Sequence, residues 1–161
     1  MTMFQSTLSR VLLKSARALM MPIAVGLWTL PVHAQTDAQI STLVEALRLA
    51  APEPIGTERL YSDWQIKGEN VQGWARFCKQ PTTLIEFETN PDLARSIVTC
   101  IVADLLQEEY EASGNRLETA VKRSASWWMT GDSTQYLNDS TIAEYVEAVW
   151  SFYLGQLQPK G

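Results

Sequence analysis

Histidine is almost absent from this sequence: the one copy, His33, stands near the N-terminus. Beyond it, nothing remains for a Ser-His-Asp or Cys-His nucleophile system, a histidine-ligated zinc or haem, or a histidine-based pH switch. Cysteine is scarce as well. The two copies, Cys78 and Cys100, lie 22 positions apart, which excludes a four-thiolate metal site within one chain and leaves no C-x-x-C redox arrangement. Basic charge is in deficit, with 13 Lys and Arg against 18 Asp and Glu. Nucleic acid and anionic lipid both require a basic footprint, so neither is the expected partner. The longest apolar run, Ala18 to Leu30, holds Pro22 and is too short for the roughly 20 residues that cross a bilayer. There is no internal repeat and no low-complexity tract.

What is present begins with a three-zone N-terminus. Arg10, Lys14 and Arg17 carry positive charge without an acidic neighbour, the run Ala18 to Leu30 follows, and Val32 and Ala34 supply the small residues of a cleavage site before Gln35. This is the pattern of a secretory signal over residues 1–34, which leaves residues 35–161 as a single acidic domain with no transmembrane segment. There is neither a twin-arginine pair nor a lipobox cysteine, so export unfolded and without a lipid anchor is expected. An exported chain meets conditions in which disulfides persist. Cys78 and Cys100 are therefore expected to pair, closing a loop whose entropy is worth roughly 3 kcal/mol.

Hydrophobic spacing predicts helices. Ile40, Leu43, Val44 and Leu47 recur at helical intervals until Pro52-Glu53-Pro54 stops them. Gly56 to Gly68 reads as an ordered connection, Glu69 to Cys78 as a helix with Val71 and Trp74 on one stripe, and Pro81 to Glu88 as a short helix. Asn90-Pro91-Asp92 is a strong start signal. The broad apolar face Leu93, Ile97, Val98, Ile101, Val102, Leu105 and Leu106 then marks the central helix, with Gly114 as its stop. Asn115 with Glu118, and Thr141 with Glu144, read as capping boxes for two more helices. The expected fold is all-α, an irregular or orthogonal bundle of about five helices with one disulfide.

Carboxylates are the only abundant catalytic groups. Glu88 and Asp104 are the pair best placed to act as acid and partner in a glycan hydrolase, which requires two carboxyls about 5 to 9.5 Å apart across one cleft. Asp104 could equally pair with Arg76 or Lys79. The run Asp132 to Glu144 fails as an EF-hand, because Leu137 replaces the glycine and Ala143 the closing ligand. No motif calls for a metal or cofactor. Asn138-Asp139-Ser140 matches a glycosylation acceptor pattern.

The aromatics are the more distinctive feature. Trp127 and Trp128 are adjacent on a helix and so point about 100 degrees apart: Trp128 shares a stripe with the core residues Leu117 and Val121, while Trp127 is free to flank a groove beside Met129 and Gly131. Trp64, Trp74, Arg76, Trp127 and Met129 form the candidate binding set, suited to a protein or peptide partner outside the cytoplasm. A carrier for an apolar pigment or cofactor is the other use of such a set.

The segment from Trp64 to Tyr136, notably Asn90-Pro91-Asp92-Leu93-Ala94-Arg95 through Cys100 and Ser126-Trp127-Trp128-Met129-Thr130-Gly131-Asp132, resembles small exported proteins of photosynthetic bacteria, cyanobacteria-like and of unknown function. The resemblance implies a bacterial periplasm or thylakoid lumen and an accessory role near an envelope or photosynthetic assembly.

Overall fold

A computed structural model describes residues 35–53 and 57–157. The signal-peptide reading of residues 1–34, His33 included, lies outside the described residues. Six α-helices and one two-stranded hairpin follow in order: α1 Asp37–Leu49, β1 Leu60–Tyr61, β2 Ile66–Lys67, α2 Gly68–Phe77, α3 Leu84–Thr89, α4 Pro91–Ala112, α5 Leu117–Thr130 and α6 Ser140–Leu157, with a 3-10 turn Gln135–Leu137 before the last. No described helix is long and apolar enough to cross a membrane.

The central helix is α4. Asn90 accepts from the Leu93 amide at 3.1 Å and Pro91 occupies the first turn. Six residues of the expected apolar face, Ile97, Val98, Ile101, Val102, Leu105 and Leu106, are buried. Helices α1, α2, α3 and α5 pack around it, and α6 lies across α1 and α5. The core so enclosed includes Leu43, Leu47, Phe87, Ile97, Leu106 and Tyr153. Burial of each such side chain stabilises by about 1.5–3 kcal/mol. An ion pair reaches into this interior: Arg123 of α5 donates to the buried carboxylate of Glu109 on α4 and reaches Ser133 at 3.1 Å.

Chain ends explain several departures from the expected boundaries. Helix α1 begins earlier than Ile40 because Thr36 and Gln39 form a reciprocal capping box. At the end of α4, Gly114 (φ +68°) and Asn115 (φ +64°) are both left-handed. Their amides return to Glu111 and Tyr110, the paired bonds of a Schellman stop. Asn115 is thereby consumed by α4, so the expected Asn115–Glu118 box does not form; Arg116 precedes α5 with no side-chain cap. The Thr141–Glu144 box is displaced as well. Asp139 does the capping, accepting from the amides of Thr141 and Ile142. The connection expected over Gly56 to Gly68 holds the hairpin, paired Leu60 to Lys67 and Tyr61 to Ile66. The short helix starts at Leu84, capped by Thr83, and not at Pro81.

Cys78 and Cys100 form a disulfide with Cα atoms 6.1 Å apart. Cys78 ends α2 and Cys100 lies in the middle of α4, so the bridge ties the one helix to the other. Gly68, the first residue of α2, sits where a Cβ would come within 3.1 Å of the Tyr61 ring and 3.2 Å of Leu84. The absence of a side chain there lets the hairpin, α2 and α3 close together.

Candidate functional site

The disulfide fixes α2 beside α4, and α2 carries Trp74 one turn before Cys78. Across from it, α5 carries Trp127, Trp128 and Met129 in its last turn, before Gly131 (φ +80°) ends the helix with its amide on Trp127. Glycine meets that left-handed requirement without a Cβ penalty. The indoles of Trp74 and Trp128 touch, with ring centroids 5.1 Å apart and planes inclined by 40°. Both are half-buried.

Three cavities are walled by Trp74, two of them by Trp128 as well. The first, about 290 Å³, lies between the hairpin and α5, with Trp64, Ile66, Trp74, Trp128, Met129 and Tyr145 among its walls. The second, about 370 Å³, is bounded by Asn70, Trp74, Trp127, Trp128 and Thr130. The third, about 240 Å³, lies between α2 and α4, where Phe77, Ile101, Leu105 and Trp127 meet Trp74. Trp74 is a wall of all three.

Of the five candidate binding residues, four reach this face. Trp74, Trp127 and Met129 border open space, whereas Trp64 is mainly a framework residue at 3% exposure. Its indole donates to the Val44 carbonyl at 2.8 Å, and the Arg95 guanidinium lies 5.2 Å from its ring centroid. One edge remains on the first cavity. Arg76 is exposed on α2 and borders none of the three cavities. Trp128, expected in the core, packs against it yet also walls two cavities. Tyr145 was not foreseen, because nothing in the spacing of α6 separates it from its neighbours.

Charge on the face is one-sided. Glu53 and Glu58 border the first cavity, Glu69 the second, and Asp104 and Glu108 the third. Lys67 is the only cation in these walls, and its ammonium is 3.5 Å from Glu58. Burial pushes the Tyr145 phenol well above its ordinary range.

Glu88 borders none of the three cavities, whereas Asp104 lines the third. Glu88 accepts from the Ser62 amide at 2.6 Å, beside the hairpin. Asp104 lies thirteen positions beyond Pro91, the start of α4, which at 1.5 Å per residue is about 20 Å along the helix. Asp104 makes no ion pair with Arg76 or Lys79; the described ion pairs involve other residues. Among the described residues no group of three or more His, Cys, Asp and Glu is placed to hold a metal ion.

Comparison of the chain with protein-family models, curated proteins and solved structures finds no match in any of the three.

Proposed function

We propose that this chain is an exported, non-enzymatic binding module that seats a protein or peptide segment on its tryptophan-walled face. The observation that carries the reading is the position of Trp74, a wall shared by three adjoining cavities. Tryptophan is the residue most enriched among interface anchors, because a large rigid surface is buried at small entropic cost. Each cavity is at or near the lower end of the roughly 300–1,000 Å³ typical of a small-molecule site. A row of them suits successive side chains of one polymer better than a single compact ligand. The cavities also open to solvent, which does not favour a pigment carrier; such a carrier would enclose its cargo.

The proposed location outside the cytoplasm, in a periplasm or thylakoid lumen or secreted, draws on the three-zone N-terminus and on the Cys78–Cys100 bridge, since disulfides persist mainly in oxidising compartments. An accessory role at an envelope or photosynthetic assembly is what the sequence resemblance adds.

Selection of a random peptide library on the oxidised protein tests the binding reading. Clones enriched on the wild-type chain and lost on a W127A variant of unchanged far-ultraviolet circular dichroism are expected. Absence of enrichment, or enrichment that W127A retains in full, contradicts it.

A further inference from the structure

We infer that the segment seated on this face is cationic and apolar, a peptide in which Lys or Arg side chains alternate with large hydrophobic ones. The inference rests on the peptide-binding reading above and narrows it to one chemical class.

Two features of the walls lead there. The first is the charge pattern. Five carboxylates, Glu53, Glu58, Glu69, Asp104 and Glu108, border the three cavities against one ammonium, Lys67, which Glu58 already occupies. An acidic or phosphorylated segment would bring like charge onto that rim, whereas a basic one gains at each carboxylate. Lys and Arg side chains also have a second partner here, because the faces of Trp74, Trp127 and Trp128 attract cations through the ring quadrupole. The chain already uses that interaction internally, with Arg95 over Trp64 and Arg59 over Tyr61.

The second feature is the chemistry of the third cavity. Its walls are Trp74, Phe77, Ile101, Leu105 and Trp127, with Asp104 and Glu108 as their polar members. Phe77 is 58% exposed and Met129 is 36% exposed, so large apolar surface faces water at both ends of the row. An oligosaccharide would stack on the indole faces and donate its hydroxyls to these carboxylates, but it would leave their negative charge uncompensated and the Ile101 and Leu105 floor of this cavity without an apolar partner. An aliphatic or aromatic side chain with a positive neighbour satisfies both its apolar floor and its acidic edge.

The test uses the full-length mature chain with its disulfide intact and four probes: a synthetic peptide of alternating Leu or Trp with Lys or Arg, the same peptide with Glu at the charged positions, a Gly and Ser peptide with the same Lys and Arg content, and a neutral glucan hexasaccharide. Binding is followed by tryptophan emission and calorimetry. The basic apolar peptide is expected to bind most tightly, and to weaken up to about fivefold for each carboxylate removed in a D104N/E108Q variant. It is also expected to weaken on F77A, a substitution at an exposed position that leaves the fold intact.

Equal or tighter binding of the acidic peptide overturns the charge inference while leaving peptide binding in place. Equal binding of the Gly and Ser peptide overturns the apolar half, because it reduces the effect to net charge. Binding of the hexasaccharide alone, or of no probe, overturns this inference and the peptide-binding reading together.

Discussion

Trp74 of α2 and Trp128 of α5 hold their ring centroids 5.1 Å apart, an indole–indole contact that joins the two helices. It acts at two levels. As packing it links α2 to α5, and as surface its Trp74 member is a wall of all three cavities while Trp128 walls two.

Trp74→Ala should therefore cost both stability and binding. Loss of a half-buried indole together with an aromatic pair amounts to about 2–3 kcal/mol. Phe77→Ala, three residues further along the same helix and mostly exposed, should stay within about 0.5 kcal/mol. Urea unfolding followed by circular dichroism separates the two. Equal losses would mean that Phe77 is covered in the folded chain.

The bridge supports the site from below. A C78S/C100S variant should lose about 3 kcal/mol, a fall in Tm of roughly 10 °C or more. At temperatures where that variant is still folded, Trp74 emission should shift to longer wavelength as α2 loosens from α4. An unshifted spectrum would show that Trp74 is held by Trp128 alone.

Glu45 offers a test by pH. Arg48 holds its carboxyl below the ordinary range, with Arg95 adding to the effect against the opposing cost of burial. The carboxylate is bonded to Arg48 at 2.7 Å and to Arg95 on α4 at 3.1 Å. A depressed folded-state value means that this contribution is present above the unfolded value, about 4.3, and is lost as pH falls through the folded one. Both arginines are partly exposed, so Glu45→Gln should remove at most about 1 kcal/mol at neutral pH. Its effect should vanish in acid, as read from Tm against pH.

Tyrosine titration tests the packing of α6. Burial raises the phenols of both Tyr145 and Tyr153, and the Tyr153 hydroxyl is buried without a hydrogen-bond partner. Raised folded-state values mean that stability is intact below the unfolded value near 10 and is lost as pH climbs beyond it. Two of the five tyrosines should thus ionise late or only on unfolding, seen in the near-ultraviolet absorbance of tyrosinate. Normal titration of all five would contradict the burial.

Much of this fold was legible because local signals agreed with the global one. The Asn90-Pro91 start, the stripe from Ile97 to Leu106 and the stop at Gly131 each require only near neighbours, and the cysteine pairing followed from there being two. The hairpin was illegible for a physical reason. Its strands are two residues long, and its left-handed positions are filled by Ser62 and Gln65 (φ +60° and +52°), with no glycine to announce them. The displaced caps were misread because Asn115 and Thr141 had closer competitors in the Schellman stop and in Asp139. At the site, the sequence marked out the tryptophans but not their grouping. Which indoles meet depends on how α2 packs against α5, a contact between residues more than fifty positions apart, and the same packing brought Tyr145 into the wall.

The most direct test of the central claim is a nuclear magnetic resonance titration of the five indole N–H signals of residues 35–161 with the basic apolar peptide. The tryptophan face predicts progressive shifts of Trp74, Trp127 and Trp128. Trp150, stacked on Tyr153 with centroids 5.5 Å apart and absent from the walls of the three cavities, should stay in place. Movement of Trp150 with the other three still would place the binding surface elsewhere on the bundle and contradict a tryptophan face at Trp74, Trp127 and Trp128.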